Sequence, residues 1–73
     1  MSTENIFAVA DLPIRLGQFL KLAEMVQDGF EAKIRIQYGD VLVNDTVEKQ
    51  RGKQLKAGDT VSYSGKTYKL VEK

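Results

Sequence analysis

The stretch Gly29-Phe30-Glu31-Ala32-Lys33-Ile34-Arg35-Ile36-Gln37-Tyr38-Gly39-Asp40-Val41-Leu42-Val43-Asn44 decides the fold. It opens as a short basic helix, near Phe30–Tyr38. Asp28 stands at the cap position with Glu31 three residues on, the spacing of a capping box, in which side chains satisfy backbone N–H groups left free by the first turn. Gly39 suits the left-handed residue that closes a helix. Val41-Leu42-Val43 favours a strand, and Asn44-Asp45 tolerates the turn that follows it. Within the helix, Ala32 and Ile36 form one apolar row and Phe30, Ile34 and Tyr38 a second. Two rows suit a helix wedged between a helix and a sheet, or one that keeps an apolar patch for a partner.

Upstream, apolar residues between Ile14 and Gln27 fall at Leu16, Phe19, Leu20, Ala23 and Val26. That spacing is one buried stripe of a helix. Gly17, Gln18, Lys21 and Glu24 occupy the opposite side. Gly17 weakens a helix by roughly 1 kcal/mol relative to Ala, so a packing or contact reason for it is expected. Asp11 is a plausible cap and Pro13 fits a first helical turn. Ile6–Val9 reads as a short edge strand, and Met1–Asn5 as a polar, loose start. Gln27-Asp28-Gly29 joins the two helices in a tight corner.

Downstream, Thr46-Val47-Glu48 alternates like a strand and Ala57-Gly58-Asp59 is a turn. Thr60–Tyr63 and Thr67–Val71 flank Ser64-Gly65-Lys66, a hairpin signal. The order is helix, helix, then three to five short strands, an α+β arrangement in a single domain over residues 1–73.

The chain has 73 residues and neither cysteine nor histidine. The first absence excludes a disulfide framework and thiolate metal sites. The second removes the commonest metal ligand and general base, so a Ser-His triad is impossible. No apolar run approaches the ~20 residues of a membrane helix, and no signal peptide is visible. A cytoplasmic protein is expected. Net charge is +1, but its distribution is uneven. Residues 1–31 carry two cations against five acids, and residues 32–73 nine against five. Lys49-Gln50-Arg51-Gly52-Lys53-Gln54-Leu55-Lys56 holds four cations and no acid. Such clustering creates a local field that the net value hides.

Each candidate site has a plainer reading beside it. Gly65-Lys66-Thr67 matches the tail of a phosphate-binding loop, but Thr60 stands where that loop needs its first glycine, and a strand follows instead of a helix. Asp40 and Asp45 read as solvated loop acids. Asp59 is expected to bond its own turn backbone. Tyr38 is the best aromatic for base stacking, since it neighbours Lys33 and Arg35. The basic residues Lys33, Arg35, Lys49, Arg51, Lys53 and Lys56 are the sharpest signal, although a charge run is often a solvated face.

Ile14-Arg15-Leu16-Gly17-Gln18-Phe19-Leu20-Lys21, Gly29 with Glu31-Ala32-Lys33, Gly39-Asp40-Val41-Leu42-Val43-Asn44, Arg51-Gly52-Lys53 with Leu55, and Gly58-Asp59-Thr60-Val61 follow one another in a familiar order. This ordered set resembles the RNA-binding domain of small-subunit ribosomal protein S four, the αL motif, over about residues 12–63. It is most similar to the small stand-alone bacterial members, the YaaA/YbcJ type. The resemblance implies two N-terminal helices packed on a small, bent, mostly antiparallel sheet. It implies binding of structured RNA, with ribosomal RNA the leading candidate and ribosome assembly or translation as the process. Arg15, Lys33, Arg35, Arg51 and Lys53 would face the RNA, and Lys49 joins them from the basic run. Ribosomal proteins are further possible partners. No cofactor, metal, membrane or enzymatic activity is expected, and the chain should be a monomer or weak dimer. The alternative is a protein-interaction module that docks through Phe30, Ile34 and Tyr38.

Overall fold

In a computed structural model, which describes residues 5–73, the sheet is built around its last strand. Strand β1 (Asn5–Val9) and the two-residue β2 (Ile14–Arg15) precede helices α1 (Leu16–Leu22) and α2 (Gly29–Gln37). Then come β3 (Val41–Val43), β4 (Thr46–Val47), β5 (Gln54–Leu55), β6 (Thr60–Tyr63) and β7 (Lys66–Glu72). Five strands form one sheet in the order β1-β7-β6-β3-β4. All its neighbours are antiparallel except β1, which runs parallel to β7 and pairs Asn5 with Tyr68 and Val9 with Glu72. A separate antiparallel pair joins β2 to β5. The result is α+β with a mixed, mostly antiparallel sheet, and the expected edge strand is β1. The polar start expected at Met1–Asn5 lies outside the described residues for positions 1–4, while Asn5 opens β1.

The core joins both helices to the sheet. Leu16, Phe19, Leu20 and Val26 from the α1 region and Ala32 and Ile36 from α2 are buried with Val41, Val43, Leu55, Val61 and Leu70. Phe7, Phe19 and Tyr68 meet edge to face, with ring centroids 5.2 to 6.3 Å apart. The predicted α1 stripe is therefore the core stripe, but the helix is shorter than the periodicity predicts. Ile14 and Arg15 leave it to pair with Leu55 and Gln54. The cap expected at Asp11 and the helical turn expected at Pro13 are not used, because the helix starts only at Leu16.

Both helices end the same way. Gly39 (φ 78°) follows α2, donating to the Ile36 carbonyl while Asp40 donates to that of Arg35. Glu24 (φ 57°) follows α1, donating to Lys21 while Met25 donates to Leu20. These paired bonds are the Schellman closure, which needs a left-handed residue. Gly39 adopts that conformation without strain, whereas an L side chain there costs about 1 kcal/mol. Glu24 is exposed, so Glu24→Gly should raise the melting temperature by roughly 4–8 °C. Glu24→Ala, which keeps a Cβ, should show no such gain in a thermal melt followed by circular dichroism.

The start of α2 is capped as its sequence indicates. Asp28 Oδ1 accepts from the Glu31 N–H at 2.8 Å, and Glu31 Oε1 accepts from the Gln27 N–H at 2.7 Å. The hairpin turns are Asn44-Asp45 and Ser64-Gly65, with left-handed residues at both central positions, the turn whose twist matches a β-ribbon. Gly65-Lys66-Thr67 is thus part of the β6–β7 hairpin. Asn44 also ties two turns together: its Oδ1 accepts from the Thr60 N–H (3.0 Å) and its Nδ2 donates to Asp59 (3.1 Å). Asp59 accepts in turn from the Lys56 N–H (2.9 Å), the local turn bond expected of it.

Candidate functional site

Helix α1 begins without a side-chain cap. The first N–H groups of a helix have no partner inside it, and here a distant loop supplies the acceptors. Leu16 N–H donates to the Lys53 carbonyl at 2.8 Å, and Gly17 N–H to the Arg51 carbonyl at 3.1 Å. The loop closes on itself through the Lys53 N–H and the Gln50 carbonyl (3.1 Å), and β5 continues from it to pair with β2. The segment that caps α1 is therefore the basic run itself, and capping brings its cations to the helix.

An open cleft of about 310 Å³ lies at this junction, lined by Arg15, Gly17, Gln18, Lys21, Gly29, Arg51 and Gly52. Three of these are cations and none is acidic. The Lys21 ammonium lies 3.9 Å from the point where a Cβ on Gly29 would stand, at the start of α2. Lys33 lies one turn beyond Gly29 on the same helix face and is exposed. Lys49 reaches the other end of α2, with its Cε 3.6 Å from the Cβ position of Gly39.

Arg35 stands apart. Residues two apart on a helix are separated by about 200°, so Lys33 and Arg35 occupy opposite flanks of α2. Arg35 lies between two carboxylates, with Nε 4.0 Å from Glu31 and Nη1 3.8 Å from Asp40. These are the ion pairs found among the described residues, and Arg15, Lys21, Lys33, Lys49, Arg51 and Lys53 take part in none of them.

Of the six cations expected to face RNA, Arg15 and Arg51 thus meet across the cleft. Lys53 follows in the same tethered loop, Lys33 stands one turn along α2 from the cleft residue Gly29, Lys49 sits at the far end of α2, and Arg35 is turned toward acids. Lys21 is the cleft residue that sequence reasoning left out. Its place opposite the apolar stripe marked it as exposed, but its convergence with Arg51 is tertiary. The Glu31–Arg35 pair did leave a signal, the four-residue spacing of opposite charges on one helix face.

The second apolar row of α2 is not wedged between layers. Phe30 and Tyr38 are 72% and 76% exposed, with Ile34 half-buried between them.

Chemically, the cleft offers fixed donors and concentrated positive charge. Guanidinium groups present several N–H donors in one plane, and ammonium groups act as point charges. An open, acid-free cleft of this kind attracts extended polyanions.

The S4 domain family profile matches residues 7–71. A Bacillus subtilis protein named "Probable ribosome maturation protein RlbA" is 48% identical over 52 residues, 71% of this chain and 73% of that one. An Escherichia coli protein named "Putative RNA-binding protein YbcJ" is 36% identical over 58 residues, 80% of this chain and 83% of that one. The solution structure of the E. coli YbcJ protein, described as revealing an αL motif involved in RNA binding, superposes with a TM-score of 0.69 at 35% identity. That match covers 97% of this chain and 91% of the other. The trimeric Vibrio cholerae heat shock protein 15 shares the fold at 21% identity and a TM-score of 0.65. It matches over 73% of this chain, which spans about half the length of that protein (52%). With the profile spanning both helices and almost the whole sheet, and relatives of similar length agreeing in sequence and fold, the chain belongs to the S4 domain family.

Proposed function

We propose that this chain binds structured RNA, with ribosomal RNA as the leading target, and that the Arg15–Lys21–Arg51 cleft is the centre of the contact. The observation that carries the reading is the capping of α1 by the Arg51–Lys53 loop, which brings the Arg51 side chain to a cleft lined with Arg15 and Lys21 and by no acid, although Glu24 and Glu31 flank Lys21 on its far side. Membership of the S4 domain family and the names of two relatives, one for RNA binding and one for ribosome maturation, support the same reading. A role in ribosome assembly or translation, in the cytoplasm, follows from it, with ribosomal proteins as secondary contacts and a monomer or weak dimer as the working form. Among the described residues no helix is long and apolar enough to cross a membrane.

The mechanism is recognition without catalysis. The major groove of an A-form duplex is too narrow for side chains to read, so phosphates, 2′-hydroxyls and shape dominate. Arg15, Lys21, Arg51 and Lys53 engage phosphates, Lys33 and Lys49 extend the contact along α2, and Arg35 contributes less because Glu31 and Asp40 already compensate it. The four central phosphate contacts alone predict that log K against log salt slopes at about −3 to −3.5, and the slope steepens with each phosphate that Lys33 and Lys49 add. Filter binding to deproteinised bacterial ribosomal RNA at several salt concentrations measures this, and a slope near zero would remove the cleft from the interface.

The exposure of Phe30 and Tyr38 favours a second reading, a protein-docking face on α2. Affinity capture from cells with and without nuclease separates the two. Under the RNA reading the captured material is lost on nuclease treatment, and sequencing of crosslinked RNA identifies the target.

A further inference from the structure

We propose that Gly17 is a positioning residue for RNA binding: the missing side chain is the seat on which Arg51 lies across α1. This rests on the reading of the cleft as an RNA contact. Gly17 is buried although it faces away from the apolar stripe, and what covers it is Arg51. A Cβ built on Gly17 would stand 2.7 Å from Arg51 Cγ, 3.3 Å from Cδ and 3.7 Å from the Arg51 carbonyl oxygen. The first distance is far inside van der Waals contact.

Nor is there slack in the backbone. The Gly17 N–H holds the Arg51 carbonyl, and two residues on the Leu16 N–H holds that of Lys53. The clashing atoms belong to the stem of the side chain, close to that pinned backbone, not to its mobile tip. An added methyl group therefore leaves the loop tied and forces the Arg51 stem to rotate off the helix, taking the guanidinium out of the cleft it shares with Arg15 and Lys21. The same contact explains why a helix of seven residues carries a residue that weakens it. Ala at this position would gain helix propensity and lose the seat.

The test is a double-mutant cycle of Gly17→Ala and Arg51→Ala, read by filter binding to deproteinised ribosomal RNA and by thermal melting. Arg51→Ala should weaken binding about tenfold, as loss of one charge-assisted contact does. Gly17→Ala, with every cation still present, should weaken it comparably, and the double variant should bind no worse than Arg51→Ala. In melting, the double variant should be at least as stable as Arg51→Ala, because with the stem gone Ala only adds helix propensity. Should Gly17→Ala fail to fold, a folded double variant still establishes the seat. Wild-type affinity in Gly17→Ala, losses that add in the double variant, or a double variant less stable than Arg51→Ala would each overturn the proposal. If Arg51→Ala itself binds normally, the RNA reading of the cleft fails instead.

Discussion

Phe19→Ala is expected to remove about 3–5 kcal/mol of stability. Phe19 is fully buried and meets both Phe7 and Tyr68 edge to face, so one ring ties α1 to β1 and β7. A domain of this length has about 4–11 kcal/mol in total, at the usual 0.05–0.15 kcal/mol per residue. The variant should therefore show a urea midpoint lowered by roughly a quarter at the least and by most of its value at the lower end of that range. Phe30→Ala is the control: Phe30 is 72% exposed on α2, and its loss should change stability by less than about 0.5 kcal/mol. Equal midpoints for the two variants would mean that the three rings are not the joint between the helix and the sheet.

The second large effect is on RNA affinity. Arg15→Glu combined with Arg51→Glu should reduce binding to ribosomal RNA at least about a hundredfold, since each charged contact is worth about 1.5–3 kcal/mol and both are replaced by repulsion. The salt slope should become shallower by about 1.4–1.8 units for the two phosphates no longer neutralised. Both residues are exposed, and the bonds that cap α1 use the carbonyl of Arg51, not its side chain, so the melting curve should stay close to that of the parent. Arg35→Glu, on the opposite flank beside Glu31 and Asp40, should lower affinity far less. An equal loss from Arg35→Glu would move the interface to the other side of α2.

Much of this was legible in the residues because it is local. Asp28 and Glu31 at the start of α2, Gly39 at its end, and the turn at Asn44-Asp45 are governed by backbone geometry within a few residues, and each is found where its sequence puts it. The stripe Leu16, Phe19, Leu20 and Val26 is likewise buried as its spacing indicates. What escaped is non-local or runs against propensity. The β2–β5 pair has two residues on each side, too few to show any alternation. Glu24 takes a left-handed conformation that its type disfavours, so the end of α1 could not be read from a glycine. Gly17 looked like a solvent-side residue because its cover, Arg51, arrives from a remote loop. The candidate site was legible as an inventory of cations; which of them converge, and that Lys21 joins them, is decided by the capping of one helix by another segment.

Strand β7 separates β1 from β6 and bonds to both. During synthesis, β1 leaves the ribosome before every other strand of the sheet yet has no edge to join until β7 emerges. The helices and the β3–β4 hairpin can form early, but contacts between segments so distant along the chain are the slow ones to close. Completion of the sheet is therefore a late, nearly all-or-none event. A nascent chain stalled before Lys66 would present an unpaired β6 edge and an unpartnered β1, a vulnerable interval for proteolysis or aggregation.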